Sequence, residues 1–181
     1  MEDLRREVHR LLAVDPTTRG FGFAVLEGAA RLIDWGTKDS GRADSHAVQR
    51  EITALLDRYL PDALVVEDVT HRDSRRCTRI RELVDSLRDE GERRGVSVIT
   101  VSRDRVRSVF GGAVASNKHA VAEIICGHFP ELVPRLPPRR KPWMSEDARS
   151  SIFDAVSFAL VYYFENTEAE AGARGVSTQP E

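Results

Sequence analysis

Apolar residues fall into two rhythms along the chain. The run Leu11-Leu12-Ala13-Val14 is continuous and is followed by Asp15-Pro16, so it reads as a buried strand expected to stop at the proline. After the turn Thr17-Thr18-Arg19-Gly20, strand character resumes over 21–27 and, past Gly28-Ala29-Ala30, over 31–37. Three strands joined this closely predict an antiparallel meander. The rhythm then changes to spacings of three and four: Ala47, Val48, Ile52, Leu55, Leu56 and Tyr59 mark an amphipathic helix over 43–59. A buried strand follows at 62–66, and a helix over 75–94 carries Ile80, Leu83, Val84 and Leu87 on one face, with Gly95 as its stop. The segment 96–101 reads as a strand, and short helices are expected near 103–110 and 117–128. Four prolines (Pro130, Pro134, Pro137, Pro138) predict a loop over 129–143, and a last helix is expected over about 146–164. Strands separated by helices imply right-handed parallel crossovers. The pattern predicts a single α/β domain over 1–165, with a mixed five-stranded sheet in which the meander joins parallel strands, flanked by helices. Residues 166–181 are expected to form an acidic, disordered tail.

Composition narrows the class without naming the chemistry. The 181 residues are 41% apolar, enough for a core, and 27 basic against 29 acidic side chains leave a formal charge of −2. Of the basic residues, only Lys38, Lys118 and Lys141 are lysines. Arginine's planar fork suits phosphate, although a GC-rich genome gives the same bias. Two cysteines, Cys77 and Cys126, make neither a metal cluster nor a disulfide framework. The charged N-terminal stretch MEDLRREVHR has no apolar centre and is not expected to be a signal peptide, and no run approaches the ~20 apolar residues of a membrane span. A reduced, cytoplasmic, nucleoid-associated domain is the expectation.

Three carboxylates change the picture. Asp15 and Glu67 each stand at the carboxyl end of a buried strand, where ligands of open α/β sheets collect. Asp154 lies in the segment IFDAVSFALVYYF, apolar on nearly every side, and a helix apolar all round is buried. An ionised carboxylate buried alone costs several kcal/mol, so Asp154 must be paired, protonated or metal-bound. Each acid also has a plainer account. Asp15 could cap Thr17 or Thr18, Glu67 could pair with an arginine of the 72–81 cluster, and Asp154 could pair with Arg19 or Arg149. Together they suit hard divalent cations better: Mg²⁺, with Mn²⁺ able to substitute, takes oxygen ligands, and two such ions roughly 4 Å apart can hold the attacking water and the leaving oxygen of a phosphodiester.

At these residues a resemblance appears. The stretch LAVDPTTRGFGFAV (12–25) resembles the opening of RuvC-type Holliday-junction resolvases, and VVEDV (65–69) resembles their second acidic motif. The segments VFG (109–111) and KHAV (118–121) are similar to the region before their last helix, and DAVSFA (154–159) to their closing Asp-Ala motif. The resemblance runs in order from about residue 10 to 164. It implies a ribonuclease H-like fold and a Mg²⁺-dependent endodeoxyribonuclease of DNA recombination and repair, commonly dimeric. Asp15, Glu67 and Asp154 would be its metal ligands, with Lys118 holding the scissile phosphate. The sequence departs from the pattern at three places. Ser151 stands where an Asp or His is usual one turn before the final Asp, and Asp147, two turns away, is a candidate substitute only if the helix begins late; an acid in the first turn is otherwise favoured by the helix dipole. Thr70-His71-Arg72 replace an aromatic wedge, and the Pro/Arg-rich insert at 130–143 is long.

Charge distribution bears on the partner. Residues 72–107 hold 11 arginines against 7 acids, and 135–143 add four positives with no acid. Phosphate contacts dominate DNA affinity, and Trp143 beside arginines could stack on an unpaired base. Arg72, Arg75, Arg76, Arg139 and Arg140, with Arg19 and Lys118, are the candidate nucleic-acid contacts, whereas 81–94 also reads as a solvated helix face. The expected partner is branched or structured DNA, with no membrane and no nucleotide cofactor. The apolar stripe of 75–94 could seal a homodimer or serve the core of one chain. Competing readings are a YqgF-like nuclease acting on ribosomal RNA precursors, a non-catalytic junction-binding pseudo-nuclease, and a phosphotransferase of the actin and sugar-kinase fold, which needs two lobes where 181 residues supply one.

Overall fold

The computed structural model describes residues 10–39, 45–70, 77–111, 117–141, 143 and 145–175, with only the backbone of 167–175. Five strands, β1 (Leu11–Pro16), β2 (Gly20–Glu27), β3 (Arg31–Asp39), β4 (Ala63–Glu67) and β5 (Ser97–Val101), form one sheet in the order β3-β2-β1-β4-β5. The meander pairs antiparallel, and β1 with β4 and β4 with β5 pair parallel, as the spacing of strands and helices predicts. The helices are α1 (Ser45–Tyr59), α2 (Thr78–Arg94), α3 (Arg103–Val109), α4 (Lys118–His128) and α5 (Ser150–Gly175).

Side-chain alternation divides each strand between two cores. Leu12, Val14, Leu64 and Val66 face α1 and α2, meeting Ile52, Leu56, Leu83 and Leu87. Leu11, Ala13, Val65 and Val101 face α4 and α5, meeting Ile125, Phe153, Val156 and Phe158. The apolar stripe of α2 is therefore buried within the chain itself. That helix ends where expected: Gly95 adopts φ 68°, which glycine tolerates without a Cβ clash, and its N–H returns to the Glu92 carbonyl.

β1 ends at Pro16 as expected, with the proline opposite Phe21; at a strand end the missing N–H costs little. The structure corrects three other sequence expectations. The proline-rich loop contains a 3-10 helix, Pro130–Arg135, because Phe129 and Leu132 are fully buried and anchor it to the core. The last helix begins at Ser150, later than 146. It also continues beyond its expected end at about 164 to Gly175, its Glu/Ala-rich sequence being a good helix former.

Candidate active site

Strand register explains how two of the three acids meet. Val14 pairs with Val66 across the parallel β1–β4 ladder, so the next residues, Asp15 and Glu67, lie side by side at the carboxyl ends. Val14 and Val66 point to the α1/α2 core, so the pleat turns Asp15 and Glu67 to the opposite face, under α5. Helix α5 brings Asp154 down to them. It can lie this close because Gly22, the partner of Asp15 on β2, has no side chain: a Cβ there would come within 2.3–2.4 Å of Ser151 backbone and side-chain atoms. All three acids are buried, Asp15 at 2%, Glu67 at 4% and Asp154 at 8% exposure.

The group at their centre is Arg103, which the sequence reading counted only as one of many arginines. Its Nε donates to Glu67 Oε1 at 2.8 Å, and Nη1 and Nη2 donate to the two Asp154 oxygens at 3.1 and 3.3 Å. Nη2 also lies 3.6 Å from Asp15 Oδ1, and the guanidinium carbon sits 5.9 Å from the Phe158 ring centre. One arginine thus bridges all three carboxylates. Its position follows from the β4–β5 register. Glu67 pairs with Val101 at the end of β5, and Arg103, two residues on, shares the parity of Val101. Ser102 caps α3 by accepting from the Arg105 N–H and so fixes Arg103 at the first helical position.

Lys118 is the second cation. It opens α4 behind the cap Asn117, whose side chain accepts from the Ala120 N–H, and its Nζ reaches Asp154 Oδ2 at 2.8 Å as well as Glu146. Burial alone would push the Asp154 carboxyl up; Arg103 first and Lys118 second outweigh it and hold the group below the usual aspartate range. Burial likewise disfavours both cations, but the acids win and raise both above their ordinary values. Asp154 with Arg103 and Lys118 is therefore an ionised cluster.

The plainer pairing of Asp154 with Arg19 or Arg149 is not the one formed. Asp154 pairs with Arg103 and Lys118, Arg19 with Asp39 at 3.1 Å, and Arg149 with Asp147 at 2.7 Å. Glu67 takes Arg103, and the cap at Thr17 is made by its own hydroxyl, which accepts from the Gly20 N–H. Asp147 lies before α5, held by Arg149 through both carboxylate oxygens and pulled below its ordinary pKa chiefly by those bonds. Ser151 is buried, its hydroxyl donating to the Ala148 carbonyl. Neither joins the carboxylate cluster.

From Asp154 and Lys118 a cleft of about 900 Å³ opens between the start of α4 and the insert. Arg139, Arg140 and Lys141 line it together with Glu146 and Asp147. Arg139 reaches Glu123 at 3.2 Å, and Trp143 is exposed, with Lys141 Nζ 5.6 Å from its ring centre. Arg72, Arg75 and Arg76, with His71, lie outside the described residues. No helix among the described residues is long and apolar enough to cross a membrane.

No family model matches the chain. Among curated proteins it is similar to the crossover junction endodeoxyribonuclease RuvC of Akkermansia muciniphila, with 36% identity over 73 residues covering 36% of this chain and 44% of that protein. The match therefore spans less than half the relative's length. Among solved structures it is similar to Thermus thermophilus RuvC, with TM-score 0.65, 17% identity, and coverage of 88% of this chain and 96% of that one. Against T. thermophilus RuvC in complex with Holliday junction substrate the TM-score is 0.66 at 18% identity, covering 89% and 96%. Fowlpox virus resolvase, solved with Holliday junction DNA, gives 0.55 at 13% identity, covering 86% and 99%. These likenesses establish the fold as the ribonuclease H-like α/β fold of RuvC.

Proposed function

We propose that this chain is a RuvC-type endodeoxyribonuclease that cuts Holliday junctions or other branched DNA with the help of divalent metal ions. The observation that carries the reading is the gathering of Asp15, Glu67 and Asp154, from two strand ends and a buried helix, around one cation in a fold shared with RuvC. The donor set fits Mg²⁺ or Mn²⁺: the three acids offer carboxylate oxygens, with no thiolate or imidazole beside them among the described residues. Three acids in so buried a spot also require positive charge beside them. Asp15, Glu67 and Asp154 would hold the ions, two per site, which supply activation of the attacking water and charge neutralisation at the departing 3′ oxygen.

The protein's own residues do the rest. Strand ends and the glycine-lined crossing of α5 bring the three carboxylates to one place before substrate arrives. Lys118, at the inner end of the cleft, is placed to take the scissile phosphate once its ammonium leaves Glu146. Arg139 and Arg140 on the cleft wall would track the strand leading to it. Two copies of the chain would make the paired incisions that resolve a four-way junction.

One arrangement favours a second reading, a junction-binding protein without cleavage. Arg103 already pairs with all three acids, and Ser151 supplies no fourth carboxylate. Labelled four-way junction, flap, duplex and single-stranded DNA, and one RNA stem, incubated in Mg²⁺ or Mn²⁺, separate the two. Symmetrical junction nicks, reduced at least about 100-fold in Asp15→Asn and Asp154→Asn, are expected. Junction binding with no cut in either metal would leave the pseudo-nuclease, and preferential cutting of the RNA stem would redirect the activity to RNA.

A further inference from the structure

The carboxylate cluster described above is filled by a residue of the chain itself. Arg103 offers its planar fork to all three acids, bidentate on Asp154 and singly on Glu67, with Asp15 at ion-pair distance. The ring of Phe158, one turn beyond Asp154 on α5, lies beneath the guanidinium. With that fork in place, no three His, Cys, Asp or Glu side chains among the described residues stand close enough together to hold a metal ion. A guanidinium cannot relieve the conflict by losing its proton. The acids can converge on a metal only if the arginine leaves.

Leaving is physically open to it. The Arg103 side chain is 30% exposed, and it projects from the first residue of a seven-residue helix whose cap is made by Ser102, not by Arg103. Rotation about its side-chain bonds therefore breaks no helix contact. Arg103 shares Asp154 with Lys118, and both Asp154 and Lys118 line the cleft, where a phosphate would offer the guanidinium a new partner.

We propose that Arg103 is the resident counter-ion of the carboxylate site and competes with the divalent metal for Asp15, Glu67 and Asp154, so that metal binds only as the guanidinium swings out. The inference rests on the metal-nuclease reading. It makes occupancy of the site a contest between two cations: metal-free protein is held together by Arg103, and metal-loaded protein frees that arginine to face the substrate's phosphates. If the arginine-free arrangement is a minor state of roughly 0.1–10%, the apparent metal affinity is weakened by about 10- to 1000-fold relative to the bare site.

The test is metal binding by the full chain, followed by calorimetry with Mn²⁺ for wild type, Arg103→Gln and Asp154→Asn. Arg103→Gln should bind Mn²⁺ at least about ten-fold more tightly than wild type, and Asp154→Asn more weakly. The metal-free Arg103→Gln protein should melt below wild type and recover more than wild type does when Mn²⁺ is added. A second measurement needs no variant: in ¹⁵N spectra of the wild-type chain, the Arg103 Nε–H signal should be protected without metal and lose protection as Mg²⁺ saturates the site. Equal Mn²⁺ affinity in wild type and Arg103→Gln, or an Nε–H that stays protected in the metal-loaded protein, overturns the proposal and leaves the metal reading standing. Absence of binding by wild type and Arg103→Gln alike, with both folded, overturns the metal reading itself and the proposal with it.

Discussion

Tyr163 ties the far end of α5 to the sheet by one hydroxyl. Its O–H donates to the Leu26 carbonyl at 3.3 Å and accepts from the Gly28 N–H at 3.2 Å. Burial, only partly offset by the Gly28 bond, pushes the phenol up to about 12. The folded state thus prefers the neutral phenol, and the stability it gives is complete below the ordinary tyrosine value of 10.0 and lost as pH rises from there towards about 12. Thermal melts of wild type and Tyr163→Phe across that window should converge as pH rises. At neutral pH the variant should cost about 1–3 kcal/mol, because two backbone groups lose a partner. The same reasoning applies at Asp154, where the sequence announced a buried charge but the identity of its counter-ions depended on residues 51 and 36 positions away in the chain.

At the scale of elements, the crossing of α5 over β2 decides whether a site exists. Helix α5 is buried nearly all round from Ser151 to Tyr163. Its approach to the sheet is set by Gly22, against which Ser151 packs. Gly22→Ala should therefore lift the start of α5, costing about 1–3 kcal/mol or more in urea melts. It should weaken Mn²⁺ binding as well, because Asp154 moves away from Asp15 and Glu67. A variant that loses stability while keeping full metal affinity would show that the helix can shift without carrying the carboxylate. Ser151, legible in the sequence as a departure from the resolvase pattern, has a packing reason here: a small side chain fits beneath the strand, and its hydroxyl closes on the Ala148 carbonyl.

On the scale of the whole molecule, charge is arranged more sharply than the formal total of −2 suggests. The cleft is lined by Arg139, Arg140 and Lys141 together with Lys118 and Asp154, and on the proposed function a phosphate strand would follow it towards Lys118. In salt titrations of junction binding, Arg139→Ala with Arg140→Ala should lower the slope of log affinity against log salt by about 2. Arg88→Ala, on the outer face of α2 beside Asp85, should leave it unchanged. If both substitutions act alike, the strand does not follow the cleft.

Local rules determined most of the architecture. Continuous apolar runs and helical spacings depend on neighbours within a turn or a strand, so the five strands, the parallel crossovers, the stop at Gly95 and the strand-end positions of Asp15 and Glu67 were all legible. Where local signals conflict with burial, they failed. Prolines predicted a loop over 129–143, but the fully buried Leu132 anchors a 3-10 helix at Pro130–Arg135 within it, and the helix propensity of the stretch after Glu165 carries α5 past its expected end at about 164. Pairing between distant side chains lay beyond the sequence altogether. An arginine-rich chain offers many partners for each acid, and only the register of β4 with β5, the pleat that turns alternate residues to one face and the close crossing of α5 at Gly22 select Arg103 as the cation that meets all three.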